Sequence, residues 1–170
     1  MTAPEFSRLI PLARLGEGAV REAIAANPAE REALARRFQL ISLDHLAAVA
    51  ELSRGKGGLV ILEARYEAAF VQSCVLSLEP VAGKISDRFA LYYGRAEKQG
   101  GALTLDAEEE VFEPLSGEAI DIGEAVAQEL SLALPAFPRS SEAAFEEKTP
   151  DEPAFSPFAV LKRLRPSGKS

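Results

Sequence analysis

LAAVAELSRGKGGLVILEARY, residues 46–66, decides the fold. Leu46, Ala48, Ala50 and Leu52 recur at every second position, and so do Val60, Leu62, Ala64 and Tyr66 after the break. A period of two belongs to a strand with one buried face. Between the runs, GKGG (55–58) is a flexible turn, and so short a link joins antiparallel neighbours. Two more runs follow the same rule. FVQSCVLSLE (70–79) aligns Cys74, Leu76 and Leu78, with Val71 and Val75 opposite. KISDRFALYYGR (84–95) aligns Ile85, Phe89, Leu91 and Tyr93, with Tyr92 on the other face. Strands at 46–53, 59–66, 70–79 and 84–95 make a twisted, mostly antiparallel meander, open or barrel-like.

Helices supply the cover that such a sheet needs. In NPAEREALARRFQ, Asn27 suits an N-cap, Pro28 the first helical position and Glu30 the third, which predicts a helix over 28–38. Its apolar side is Ala29, Ala33, Leu34 and Phe38, with Arg31, Glu32, Arg36 and Arg37 outward. A second helix follows Asp121 as N-cap, with Glu124 completing a capping box and Pro135 as the stop. Ile122, Ala125, Val126, Leu130, Ala133 and Leu134 form its apolar stripe, interrupted by Glu129. Residues 19–26 fit a strand or a helix equally. Residues 5–12 fit an edge strand, because Pro11 has no N–H to donate. Residues 96–110 read as a polar loop with a short strand at 102–105. The expected class is therefore α+β, a sheet packed by two helices.

The chain of 170 residues is long enough for one domain with its own core. That domain is expected to span 1–139. Residues 140–153, SSEAAFEEKTPDEP, carry five acids, one lysine and two prolines, the composition of a disordered tether. The linker is placed at 140–156 and a tail at 157–170. In the tail, PFAVLKRLRP has Phe158, Leu161 and Leu164 at helical spacing beside Lys162, Arg163 and Arg165, with no acid. Ser156 suits the cap of a short helix. This peptide either docks on a partner or folds back onto its own acidic domain.

Net charge is −7. Residues 1–65 are nearly neutral, whereas 66–139 hold 5 Lys/Arg against 13 Asp/Glu, with acids crowded at Asp106, Glu108, Glu109, Glu110 and Glu113. A phosphate chain is repelled by that half. If RNA is touched directly, Arg8, Arg14, Arg31, Arg36, Arg37, Arg54 and Lys56 are the better side, although solvated surface is the plainer account of them. No secretory signal and no membrane-length apolar run occurs, and one cysteine excludes an internal disulfide, so a cytoplasmic protein is expected.

One cysteine and one histidine cannot supply a structural zinc site. A nucleophilic pair would need Cys74 beside His45, yet Cys74 shares its run with Leu76 and Leu78 and reads as a small buried hydrophobe. GEGA (16–19) and GKGG (55–58) lack the strand–loop–helix setting of a phosphate loop. No Gly-x-Ser-x-Gly elbow occurs. Neither an enzyme nor a cofactor is expected.

QSCVLSLEPV (72–81), DIGEAVAQELSLALPAFPR (121–139) and PFAVLKRLRP (157–166), in this order and spacing, resemble the YceD family of large ribosomal RNA subunit accumulation proteins. The resemblance implies a non-enzymatic role in making or maintaining 23S ribosomal RNA. It also implies a link with a small zinc-ribbon ribosomal protein of the large subunit. The central motif falls on Gln72, Cys74, Leu78, Glu79 and Pro80. The helix motif falls on Asp121, Glu124, Ala127, Leu130, Pro135, Pro138 and Arg139, and the tail motif on Pro157, Phe158, Leu161 and Leu164. Many relatives carry a second cysteine in the central motif, where this chain has Ser73, so a metal role does not carry over. The implied partner is precursor ribosomal RNA or an early large-subunit particle. The alternative is an acidic module that holds a basic ribosomal protein without touching RNA. No membrane or small-molecule partner is expected.

Overall fold

The computed structural model describes residues 4–16, 18–94, 113–115 and 117–140. Among them the order is β1 (Leu9–Pro11), β2 (Val20–Ala25), α1 (Pro28–Arg37), β3 (Ser42–Arg54), β4 (Val60–Ser73), β5 (Pro80–Gly94), β6 (Glu113–Pro114), β7 (Ala119–Asp121) and α2 (Ile122–Ala133). The main sheet runs β2-β3-β4-β5-β6, antiparallel except for the short parallel β5–β6 contact. Its order leaves β2 and β6 at opposite edges, so it is an open sheet and not a barrel. β1 and β7 form a separate antiparallel ribbon.

The even positions of β3 and β4 face inward as their period requires. Leu46, Ala48, Ala50, Leu52, Val60, Leu62, Ala64, Tyr66, Ala68 and Phe70 are all buried. At one end they meet Leu34 and Ala35 of α1 and Val126, Ala127 and Leu130 of α2. At the other end, the ribbon covers them with Ile10 and Ile120, beside Leu15. Helices and ribbon thus cover one face, and the opposite face of the sheet is left to solvent.

α1 forms as its caps dictate. The Glu30 N–H donates to Asn27 Oδ1 (2.9 Å), and the Asn27 N–H donates back to Glu30 Oε2 (2.8 Å). Its buried positions are Leu34 and Ala35, with Phe38 partly covered, while Ala29 is exposed. Residues 19–26 resolve as a strand. Two expectations are corrected. First, 59–66 and the start of 70–79 are one strand. The alanines at 68 and 69 look like a break, yet Ala68 and Phe70 continue the buried row. Second, residues 74–79 are a turn, and Pro80 opens the next strand instead of ending the last one. Proline is harmless as a first strand residue because no ladder donor is needed there. Leu76 and Leu78, expected to lie beside Cys74, are exposed. The expected strand at 102–105, the acids at 106–110 and everything from Ser141 on, including the linker and the tail motif, lie outside the described residues.

Candidate functional site

The central motif and the C-terminal end of the helix motif come together at one end of the sheet. Ser73 ends β4, and the chain turns through Cys74–Glu79. The Cys74 N–H donates to the Glu79 carbonyl (2.8 Å) and the Leu78 N–H to the Cys74 carbonyl (3.0 Å). The segment after α2 runs beside this turn. Gln72 Nε2 donates to the Pro135 carbonyl (3.1 Å) and the Val75 N–H to the Pro138 carbonyl (3.0 Å). Cys74 Sγ accepts the N–H of Ser77 (3.5 Å) and of Ser140 (3.4 Å), joining the two segments. The thiol is sealed from solvent as expected, although Leu76 and Leu78, its expected apolar company, are exposed. It does more than fill space. The Ser77 hydroxyl, followed by the N–H groups of Ser140, Ser77 and Leu76, draws its pKa down to about 6, with desolvation opposing them. His45 is exposed on β3. Among the described residues no group of three His, Cys, Asp or Glu could hold a metal ion.

Asp121 and Glu124 occupy the far end of the helix motif. Asp121 Oδ1 accepts the N–H groups of Arg8 (2.7 Å), Gly123 (3.1 Å) and Glu124 (3.2 Å), capping α2 and holding the chain beside β1. The expected capping box is not made. Glu124 instead takes both Arg37 nitrogens (2.7 and 2.9 Å), clamping α2 to α1. That arginine, helped by Gln128, holds the Glu124 carboxyl below the usual carboxylate range despite desolvation. Gly123 was not singled out by sequence. A Cβ there would sit 2.5 Å from the Phe6 carbonyl oxygen, so only glycine lets α2 start against the segment that leads into β1. Glu129, the polar interruption of the stripe, is half-buried. Desolvation first, then Glu113 and Asp87, raises its pKa.

The arginines expected to meet RNA are dispersed and mostly engaged. Arg8 forks onto Glu30 (2.7 and 3.0 Å) and lies over the Phe6 ring. Arg14 pairs with Glu22 and Arg36 with Glu32. Arg37 holds Glu5 as well as Glu124. Arg31 donates to the Ala26 carbonyl, and Arg54 to the Leu15 carbonyl. Lys56 stands in the turn after β3 with no ion pair among the described residues.

A different set of cations is open. The solvent face of the sheet carries Arg21, Arg65, Lys84 and Arg88, all exposed and none in an ion pair among the described residues. Arg65 and Arg88 stand directly opposite each other on β4 and β5. Like charges so placed are destabilising unless an anion lies between them. The same face carries Ala47, Ala69, Ala82 and Ala90, Val49 directly opposite Arg65 on β3, and Tyr92. Glu51, Glu63 and Glu67 share it, so its field is mixed. The period of two that marks the buried row also marks this outer row.

A family described as large ribosomal RNA subunit accumulation protein YceD matches residues 62–165. The chain belongs to the YceD family. No curated protein and no solved structure matches it. The YceD match begins inside β4 and takes in the Cys74 turn, β5, α2 and the segment bonded to the turn. The described part of the match thus comprises most of β4, the turn, β5, β6, β7, α2 and the segment up to Ser140. β2, α1 and β3 lie before it.

Proposed function

We propose that this chain promotes the accumulation of 23S ribosomal RNA by surface contact, catalysing no reaction, and that the contact is made with precursor RNA or an early large-subunit particle. Membership of the YceD family supports the process. The open sheet face carries the mode of contact. Arg65 and Arg88 face each other without an anionic partner, and Arg21 and Lys84 flank them, as a phosphate-binding strip requires. Arg8, Arg36 and Arg37 are already neutralised and serve the fold, while Lys56 remains free to add to the contact. Glu51, Glu63 and Glu67 keep the affinity low and dependent on salt. Cys74, sealed and engaged as an acceptor, has a structural part in this reading. A part in ribosomal RNA accumulation supports a cytoplasmic location.

The test is the ratio of large- to small-subunit ribosomal RNA in cells lacking the protein. The full chain should restore it, and a chain carrying R65E and R88E should not. Rescue by the R65E/R88E chain would remove the sheet face from the mechanism.

A second reading rests on charge. Residues 1–140 hold 14 Lys/Arg against 21 Asp/Glu, which suits a carrier of a basic ribosomal protein. Under that reading, neutralising Glu108, Glu109 and Glu110 weakens capture of such proteins and leaves RNA binding unchanged.

A further inference from the structure

The Cys74–Glu79 turn presents apolar side chains where a turn built only for stability would be polar. Val75, Leu76 and Leu78 are exposed, Leu78 to 76 %, and Phe137 on the neighbouring segment to 77 %. Leu78 holds a φ of +62°, a left-handed conformation that a branched apolar residue seldom adopts. The turn is nevertheless fixed. Several bonds close it internally, including Ser73 Oγ to the Leu78 carbonyl (3.1 Å), and the Val75–Pro138 bond ties it to the segment bearing Phe137. A rigid turn that presents three apolar side chains beside an exposed phenylalanine is a docking surface.

We propose that residues 157–166, PFAVLKRLRP, dock onto this surface in the same chain. The described chain ends at Ser140, whose N–H is bonded to Cys74 Sγ, so the tether 141–156 starts on the patch itself. Fully extended it reaches about 50 Å, far more than a return to the patch requires. Phe158, Leu161 and Leu164 recur at the spacing of one helix face and match the apolar patch in character. Charge agrees. Residues 157–170 carry four cations and no acid, while residues 1–140 carry an excess of seven acids, with Glu79 exposed in the turn itself. A flexible tether of this length gives an effective concentration of about 1 mM, so even a contact with a Kd of about 0.1 mM is mostly closed. The proposal goes beyond the RNA reading and stands without it.

Two full-length variants test it. L76S/L78N removes the apolar turn, and asparagine suits the left-handed position 78. F158S/L161S removes the apolar face of the tail and changes no residue of the folded domain. In the parent chain, trypsin should cut at Lys162 and Arg163 about tenfold more slowly than in L76S/L78N. Amide exchange of residues 75–79 should be about tenfold faster in F158S/L161S than in the parent. Equal rates in parent and variants would overturn the proposal. So would protection that grows with protein concentration, which points to a second copy, or protection that needs an added ribosomal fraction, which points to a foreign occupant.

Discussion

Cys74 accepts from the N–H groups of Ser77 and Ser140, and these donors favour the thiolate over the thiol. The unfolded thiol ionises near 8.5–9 and the folded one at about 6. A depressed folded value contributes stability that is complete above the unfolded value and lost as pH falls through the folded one. The stability gap between the parent and Cys74→Ser, whose hydroxyl does not ionise, should therefore widen as pH rises from 6 to 9. Denaturant unfolding at several pH values checks this, and a gap independent of pH would return the cysteine to a mere packing role. At Gly123 the expectation is steric. Gly123→Ala should cost about 2–4 kcal/mol, because the Phe6 carbonyl oxygen leaves no room and is backbone that cannot swing away.

Burial of Cys74 was expected, although Leu76 and Leu78, on whose company that reading rested, are exposed. Its duty as an acceptor was not, because the donors come from Ser77 in a turn and from Ser140, far away in sequence. Cys74, Leu76 and Leu78 fall at every second position, as in a strand. Only the closing bonds and the left-handed Leu78 make 74–79 a turn. The pattern of apolar residues measures period, and a six-residue turn with three apolar side chains imitates it.

Between elements, the α1–α2 clamp is the most testable contact. Arg37 holds Glu124 in a two-pronged bond and Glu5 as well, at about a third exposure. A double-mutant cycle of Arg37→Met and Glu124→Gln should give a coupling of about 0.5–1 kcal/mol in favour of the pair. Because Arg37 lowers the folded Glu124 pKa, that coupling is present above the ordinary carboxylate range and is lost as pH falls below it. Glu129 has the opposite sign. Burial raises its folded pKa, so Glu129→Gln should leave the protein more stable than the parent at neutral pH and close to it in acid.

The α1 capping box and the inward rows of β3 and β4 were readable because each depends on spacing within one segment. Glu124 defeated the same reasoning. Its position three residues after Asp121 fits a capping box, but Arg37 of α1, distant in sequence, offers it a charge. A charge-assisted pair outcompetes a bond to one backbone N–H. The β1–β7 ribbon and the gap at Gly123 were invisible for a related reason. Both come from where the chain returns, not from a local period.

For the whole molecule, the sheet has one covered and one open face, and the chain is acidic. Family membership supports a part in large-subunit RNA accumulation, and the unpaired cations of the open face supply the proposed contact. The N-terminal arginines were the better side for RNA only if RNA is touched directly, and counts do not reveal pairing. Folding spends Arg8, Arg14, Arg36 and Arg37 on carboxylates and leaves Arg65 and Arg88 uncommitted. The tail and the acids at 106–110 enter through the tests of docking and of capture given above.

The most direct measurement is the binding of a 23S precursor RNA fragment, followed by fluorescence anisotropy across a salt series. The parent chain should bind at low salt and lose affinity steeply as salt rises. R65E/R88E should abolish that binding, whereas R36E, which alters an arginine already paired with Glu32, should leave it nearly intact. Binding that is absent from the parent at low salt, or that R65E/R88E leaves unchanged, would contradict contact through the open face of the sheet.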